Sequence, residues 1–220
     1  MDECPHVFVI SDEVYDFLTF DGREHVCFAK VGNNWQRTVS IFSGGKLLNC
    51  TGWKVGWAVG PEKLVRQGTI IANSNYYVVN TPAQVAIAHA LDKIEEPGYN
   101  KETGKNFVDD LSDEFLATRD YLVENVRSMA LPWTPESCDG GYFLIVNISK
   151  CRALIPQKYF ESHEYEPASD PAPVDKFHLN MPDGTIPMDV AFCRWMAIDH
   201  GVVMMPNSFF YGKGSQYVTD

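Results

Sequence analysis

The 220-residue sequence has no apolar run long enough to cross a bilayer as a helix, which takes about 20 residues. Positive charge is also scarce. Lysine and arginine total 18 against 29 acidic residues, a net charge of −11. Such a surface repels nucleic-acid phosphates and anionic lipid, so neither a nucleic-acid nor a membrane partner is expected. The six cysteines (Cys4, Cys27, Cys50, Cys138, Cys151, Cys193) include no Cys-x-x-Cys pair. That spacing suits reduced buried thiols better than a disulfide framework or a zinc site. No histidine pair has metal-ligand spacing, so no metal is expected, and His25 sits in polar surroundings that suggest exposure. No serine lies in a Gly-x-Ser-x-Gly turn. Internal repeats and low-complexity tracts are missing too. No signal-peptide pattern is read ahead of the first apolar segment. The cytoplasm is therefore expected, with the mitochondrion open if a full-length protein carries a transit peptide.

What remains is an ordinary globular composition with a clear order of elements. Val7–Ile10, Thr38–Phe42 and Val55–Val59 read as short buried strands. The first is apolar at every position, which predicts an interior strand of a parallel sheet with covering neighbours. Only a few residues precede it, a first sign of a fragment. Glu62–Ile71 reads as a helix with Pro61 near its start. Pro82–Glu96 reads as a helix capped by Asn80 or Thr81 and stopped by Pro97-Gly98. Phe107–Met129 is the longest helical pattern, with Phe107, Leu111 and Phe115, then two turns on Leu122, Val126 and Met129, at steps of three and four. Gly140-Gly141 leads into a strand at Tyr142–Ile148. Tyr159–Pro187 reads as a long loop or insertion. Met188–His200 is a predicted helix ended by Gly201, and Val202–Met205 a further strand. The pattern predicts an α/β sheet for residues 1–106, then a long connecting helix and a smaller α+β part over 107–220.

The residues that could carry chemistry cluster after strands. In open α/β sheets, ligands sit beyond the carboxyl ends of the strands, so Asp12 and Lys46 would face one crevice. Lys46, in Ser43-Gly44-Gly45-Lys46, can lose hydration between glycine and leucine and act as a nucleophile that condenses with carbonyl compounds. A surface lysine in a turn is the bland alternative. Asp12 suits a pyridine nitrogen, which a carboxylate keeps protonated, and Tyr15 a ring hydroxyl. The alternative for them is a helix N-cap and packing. Ser43 and Lys54 suit a phosphate, offering a hydroxyl, a cation and turn amides. A nucleotide P-loop fails, because Leu47 stands where Ser or Thr is needed and Ser40 where the first glycine should be.

Ser11-Asp12-Glu13-Val14-Tyr15, Ser43-Gly44-Gly45-Lys46 and Thr51-Gly52-Trp53-Lys54-Val55-Gly56-Trp57 together resemble the class I/II aminotransferases of the fold-type-I pyridoxal phosphate superfamily. Asp21-Gly22 with His25 looks most like the kynurenine aminotransferase subgroup, also called glutamine transaminase K and cysteine-conjugate β-lyase. The similarity continues through Asn80–Gln84, Gly140–Leu144 and Gly201–Tyr211, and covers nearly everything except Tyr159–Pro187. The resemblance implies pyridoxal 5'-phosphate as cofactor. Lys46 would bond to its aldehyde carbon and shuttle a proton to and from the substrate α-carbon. Asp12 would pair with the ring nitrogen, Tyr15 with the ring oxygen, and Ser43 and Lys54 with the phosphate. Much of the wider class has arginine at the position of Lys54. Tyr76 or Tyr77 would reach a partner subunit's site, which implies a homodimer.

The implied fold is α/β. It is part of the large domain of a fold-type-I transferase, with a mixed, mostly parallel sheet and flanking helices, plus part of a smaller α+β domain. The implied activity moves an amino group from kynurenine, glutamine, or an aromatic or sulfur amino acid to a 2-oxo acid, with β-elimination from cysteine conjugates on the side. Two departures stand out. The family's N-terminal half, with its ring-stacking aromatic, is missing. Its substrate-carboxylate arginine is expected beyond residue 220, and Arg194, inside a helix, is a poor substitute. The alternative function is a non-catalytic relative that binds cofactor weakly or only pairs with other subunits.

Overall fold

In the computed structural model, described for residues 4, 6–161 and 186–211, three short strands build the first sheet. β1 (Val9–Asp12), β2 (Thr38–Ser43) and β3 (Gly56–Val59) lie in the order β1-β2-β3. β1 is parallel to β2, with Val9 opposite Thr38 and Asp12 opposite Ile41. β3 is antiparallel to β2, with Ser43 opposite Gly56. The sheet is mixed because the link from β2 to β3 holds only one helical turn, α1 (Gly44–Leu47), and a 3-10 turn at Thr51–Trp53. No crossover helix carries the chain back to the far end of the sheet, as a parallel neighbour would require.

The first strand departs from expectation. Val7 and Phe8 lie ahead of it, and Phe8 and Ile10 are 68% and 75% exposed. β1 is an edge strand, paired only with β2 among the described residues. Ile10 and Asp12 share an uncovered face of β1, while Val9 and Ser11 on the other face are half-buried. The buried positions of β2 are the small polar residues Thr38 and Ser40. Thr38 Oγ1 donates to the Asn34 carbonyl at 2.8 Å.

α2 (Glu62–Tyr76) runs past its predicted end at Ile71 and stops where Tyr77 turns to φ 57°. None of its residues is buried. α3 (Thr81–Leu91) is capped by Asn80, whose side chain accepts the Ala83 N–H at 3.0 Å, with Pro82 in the first turn. Its predicted last turn, beyond Leu91, is a run of hydrogen-bonded turns instead. Ala83 and Ile87 pack against Val55, with Leu48, Trp57 and Val79 around them. α4 (Phe107–Ser128) is preceded by Asn106, whose side chain accepts the Asp109 N–H at 2.8 Å. Its buried residues are Leu111, Arg119 and Val123, while Leu122 and Met129, expected inside, are 41% and 46% exposed. A buried arginine completes the row at steps of four, and apolar periodicity cannot detect it.

The predicted strand Tyr142–Ile148 shortens to β5 (Ile145–Asn147), antiparallel to β4 (Thr134–Glu136). The residues before it are engaged elsewhere: Gly140 bridges to Thr19, and the Gly141 N–H donates to the Leu18 carbonyl at 3.0 Å. α5 (Met188–His200) ends at Gly201 (φ 69°), and the Val202 N–H reaches back to the Met196 carbonyl at 3.0 Å. Val190, Ala191 and Phe192 of α5 form a core with Cys151, Ile155, Tyr159 and Ile186. Val202–Met205 is not a strand. No described strand pairs with it, and Val203 is 89% exposed. Tyr159 lies in a 3-10 turn at Gln157–Phe160, and 162–185 of the predicted insertion lie outside the described residues.

The chain forms two compact units, Met1–Leu122 with Ser137–Leu144, and Val123–Glu136 with Ile145–Asp220. All six cysteines are free thiols, but only Cys151 is buried, contrary to the expectation of buried thiols throughout. Among the described residues, no helix is long and apolar enough to cross a membrane, and no three metal-ligating side chains come together.

Candidate active site

The parallel strands β1 and β2 end at one edge of the sheet, and β3 begins there. Asp12 closes β1, paired with Ile41, two residues before Ser43 closes β2. Ser43 pairs with Gly56, and Lys54 lies two residues before that glycine. The antiparallel turn of β3 thus brings Lys54 to the edge that carries Asp12 and Ser43. Lys54 is exposed and closes the 3-10 turn in a left-handed conformation, φ 57°. No helix follows Asp12, so the N-cap alternative for it fails; residues 14–17 form a turn that presents Tyr15.

Lys46 is held from both ends of its own residue. Its N–H donates to Ser43 Oγ at 3.2 Å, which makes Ser43 the N-cap of α1. Its carbonyl accepts from the Tyr142 hydroxyl at 2.8 Å. The two preceding glycines are packed too tightly for a side chain. A Cβ on Gly45 would stand 2.9 Å from the Thr51 Cα, and one on Gly44 2.8 Å from Ile87 Cδ1. The amine lies 5.7 Å from the centre of the Tyr15 ring and 6.0 Å from that of Tyr142. Ring faces at that range attract a cation. The two tyrosines meet edge to face at 4.7 Å, and Tyr142 stacks on Phe115 at 4.5 Å. Burial, with the neighbouring Tyr15, pushes the Tyr142 hydroxyl up to about 12, so at neutral pH it remains a donor.

Two further residues were not singled out from sequence. Glu13 is 4% exposed, next to Asp12 but on the other face of the strand. Its Oε1 accepts from Ser11 Oγ at 2.8 Å and from the Phe28 N–H at 3.1 Å, and its Oε2 pairs with His25 Nε2. Burial works to raise its pKa, but the hydrogen bonds from Ser11, Phe28 and His25 outweigh burial and hold the carboxyl below its ordinary range. His25, expected in open polar surroundings, is therefore a hydrogen-bond partner of a buried carboxylate. The alternation of a strand gave the signal for Glu13: if Asp12 faces out, its neighbour faces in. Tyr142 was part of a recognised motif, but nothing in its spacing tied it to Lys46, 96 residues away.

Tyr76 and Tyr77 lie at the end of α2, 59% and 85% exposed, and no hydrogen bond, ion pair or ring contact joins either to Lys46. Arg194 belongs to α5, where its guanidinium donates to the Tyr159 and Glu161 carbonyls, each at 3.4 Å.

Known proteins share this arrangement of sequence and fold. The chain is 32% identical over 220 residues to the kynurenine–oxoglutarate transaminase of Dictyostelium discoideum, covering 98% of this chain and 43% of that protein. It is 30% identical over 211 residues to human kynurenine–oxoglutarate transaminase 1, covering 96% and 43%. The solved structure of YbdL from Escherichia coli, described as having a methionine aminotransferase function, matches with a TM-score of 0.63 and 29% identity over 94% of this chain and 43% of that one. The chain thus spans less than half the length of the relatives it matches. A family model for aminotransferase class I and II, a pyridoxal phosphate-dependent family, matches residues 2–216. This chain belongs to the class I and II aminotransferase family.

Proposed function

We propose that this chain supplies the reacting lysine of a pyridoxal phosphate-dependent aminotransferase, which moves an amino group from an α-amino acid to a 2-oxo acid. The carrying observation is Lys46, its main chain fixed by Ser43 and Tyr142 and its amine set beside Tyr15 at the strand edge that bears Asp12. Bound pyridoxal phosphate supplies an aldehyde and an electron-accepting ring.

The residues present fit such a group. The Ser43 hydroxyl accepts from the Lys46 N–H and keeps its own proton to donate to a phosphate oxygen. Lys54 adds a cation at the same edge, and as a point charge it holds phosphate without the fork of an arginine. Asp12 would hold a proton at a ring nitrogen, and Tyr15 would donate to a ring oxygen. Lys46 Nζ would accept a proton from the substrate α-carbon and deliver it to the carbon that was the cofactor's aldehyde, the work of a general base and acid in turn. In this reading 1–106 is the C-terminal part of the cofactor-binding large domain, and 107–220 the connecting helix and an incomplete small domain.

The names of the relatives support kynurenine as a donor, and the family resemblance supports the others. Kynurenine, glutamine, and aromatic or sulfur amino acids are the proposed donors, with elimination from cysteine conjugates as a side activity. A homodimer is the proposed assembly, with Tyr76 or Tyr77 facing the partner. Incubation with cofactor, each candidate donor and 2-oxoglutarate or pyruvate tests the reading. The expected result is the donor's oxo acid and the acceptor's amino acid in equal amounts. Formation of neither product with any donor, by protein shown to bind the cofactor, would support the non-catalytic alternative instead.

A further inference from the structure

We propose that Tyr142 is the positioning residue for Lys46, its hydroxyl fixing the lysine's main chain and its ring fixing the amine. The inference rests on the reading of Lys46 as the reacting amine. Two independent contacts carry it: the 2.8 Å hydrogen bond to the Lys46 carbonyl, and the ring centre 6.0 Å from Lys46 Nζ. α1 is a single turn of helix, too short to hold its own shape. Its carbonyl at Lys46 is fixed by a side chain 96 residues away in sequence.

That side chain is itself well braced. Its ring stacks on Phe115 of α4 at 4.5 Å and meets Tyr15 edge to face at 4.7 Å. Its loop is stitched to residues 18–20 by the Thr19–Gly140 bridge, by Gly141 N–H to the Leu18 carbonyl (3.0 Å), and by Phe20 N–H to the Asp139 carbonyl (2.9 Å). Tyr15 and Tyr142 together flank the amine. Their rings shield the amine and hold it in place.

Competitive acetylation of the cofactor-free protein, read peptide by peptide, measures the reactivity of Lys46 against Lys63, an exposed lysine of α2 that serves as internal standard. Tyr142→Leu removes ring and hydroxyl and is expected to raise the Lys46 to Lys63 labelling ratio by about two- to fivefold. Tyr142→Phe keeps the ring and loses only the hydroxyl. It is expected to raise the ratio by less, but above the wild-type value, because α1 loses its outside anchor. Should Tyr142→Leu fail to fold, the near-isosteric Phe variant decides alone. Ratios equal to wild type in the folded variants would overturn the proposal. A merely structural tyrosine would lower the melting temperature and leave this ratio unmoved. Loading the wild type with pyridoxal phosphate in parallel keeps the two readings apart. Failure to load counts against the cofactor, whereas the labelling ratio judges Tyr142 without it.

Discussion

Gly44 and Gly45 precede Lys46 for different reasons, and the difference is measurable. A Cβ on Gly45 would press on the Thr51 main chain at 2.9 Å, whereas one on Gly44 would press on the Ile87 side chain. Gly45→Ala should therefore cost about 1–3 kcal/mol of stability and Gly44→Ala less, since a side chain yields more easily than a backbone. Denaturant melts of the two variants check this order. Glu13 makes a second case. Its folded pKa lies below the ordinary 4.5. Its contribution to stability is then fully present above that value and is lost as pH falls through the folded value. Glu13→Gln should destabilise the protein by about 1–3 kcal/mol at neutral pH and flatten the loss of stability on acidification below 4.5, as followed by melting temperature against pH. At this scale the places of Asp12, Ser43 and Lys46 at the strand ends were legible in the sequence, because turn glycines and apolar runs mark them. Glu13 and Tyr142 were not singled out, since their roles depend on partners brought together by the fold: His25 and Phe28 for one, Lys46 and Phe115 for the other.

Between the elements, one buried cation ties the turn at Asp21 to the long helix. Arg119 of α4 donates to both carboxylate oxygens of Asp21 at 2.6 and 3.1 Å and to the Cys138 carbonyl at 3.0 Å. Its guanidinium lies 5.1 Å from the centre of the Phe20 ring. It thereby links the segments whose bridge carries Tyr142 toward Lys46. Arg119→Lys keeps the charge and loses the fork, and should cost about 1–3 kcal/mol in a denaturant melt. The cap of α3 is a cleaner test, because Asn80→Ala removes one hydrogen bond at a helix end and should cost about 1 kcal/mol. Helix existence was readable from sequence: α3, α4 and α5 lie where caps, periodicity and Gly201 predict them. Strands were harder, because a strand is defined by its partner. Val202–Met205 has the composition of a strand and no described neighbour, and β3 reversed direction because the link before it lacks a crossover.

Over the whole molecule, apolar residues reach the surface in numbers. Phe8, Ile10, Tyr77, Val78, Val203 and Phe210 are each at least 67% exposed. Apolar area left in water favours association, so the isolated chain should self-associate despite its net charge of −11. Size-exclusion chromatography across a concentration series is expected to show a species larger than the monomer, and Ile10→Glu on the open face of β1 should reduce it. The most direct measurement of the central claim is borohydride reduction of the protein with pyridoxal phosphate, followed by peptide mass analysis. The account predicts a reduced pyridoxyl group on the peptide containing Lys46 and its loss in Lys46→Ala. A label spread over surface lysines, or one that leaves Lys46 unmodified, would contradict it.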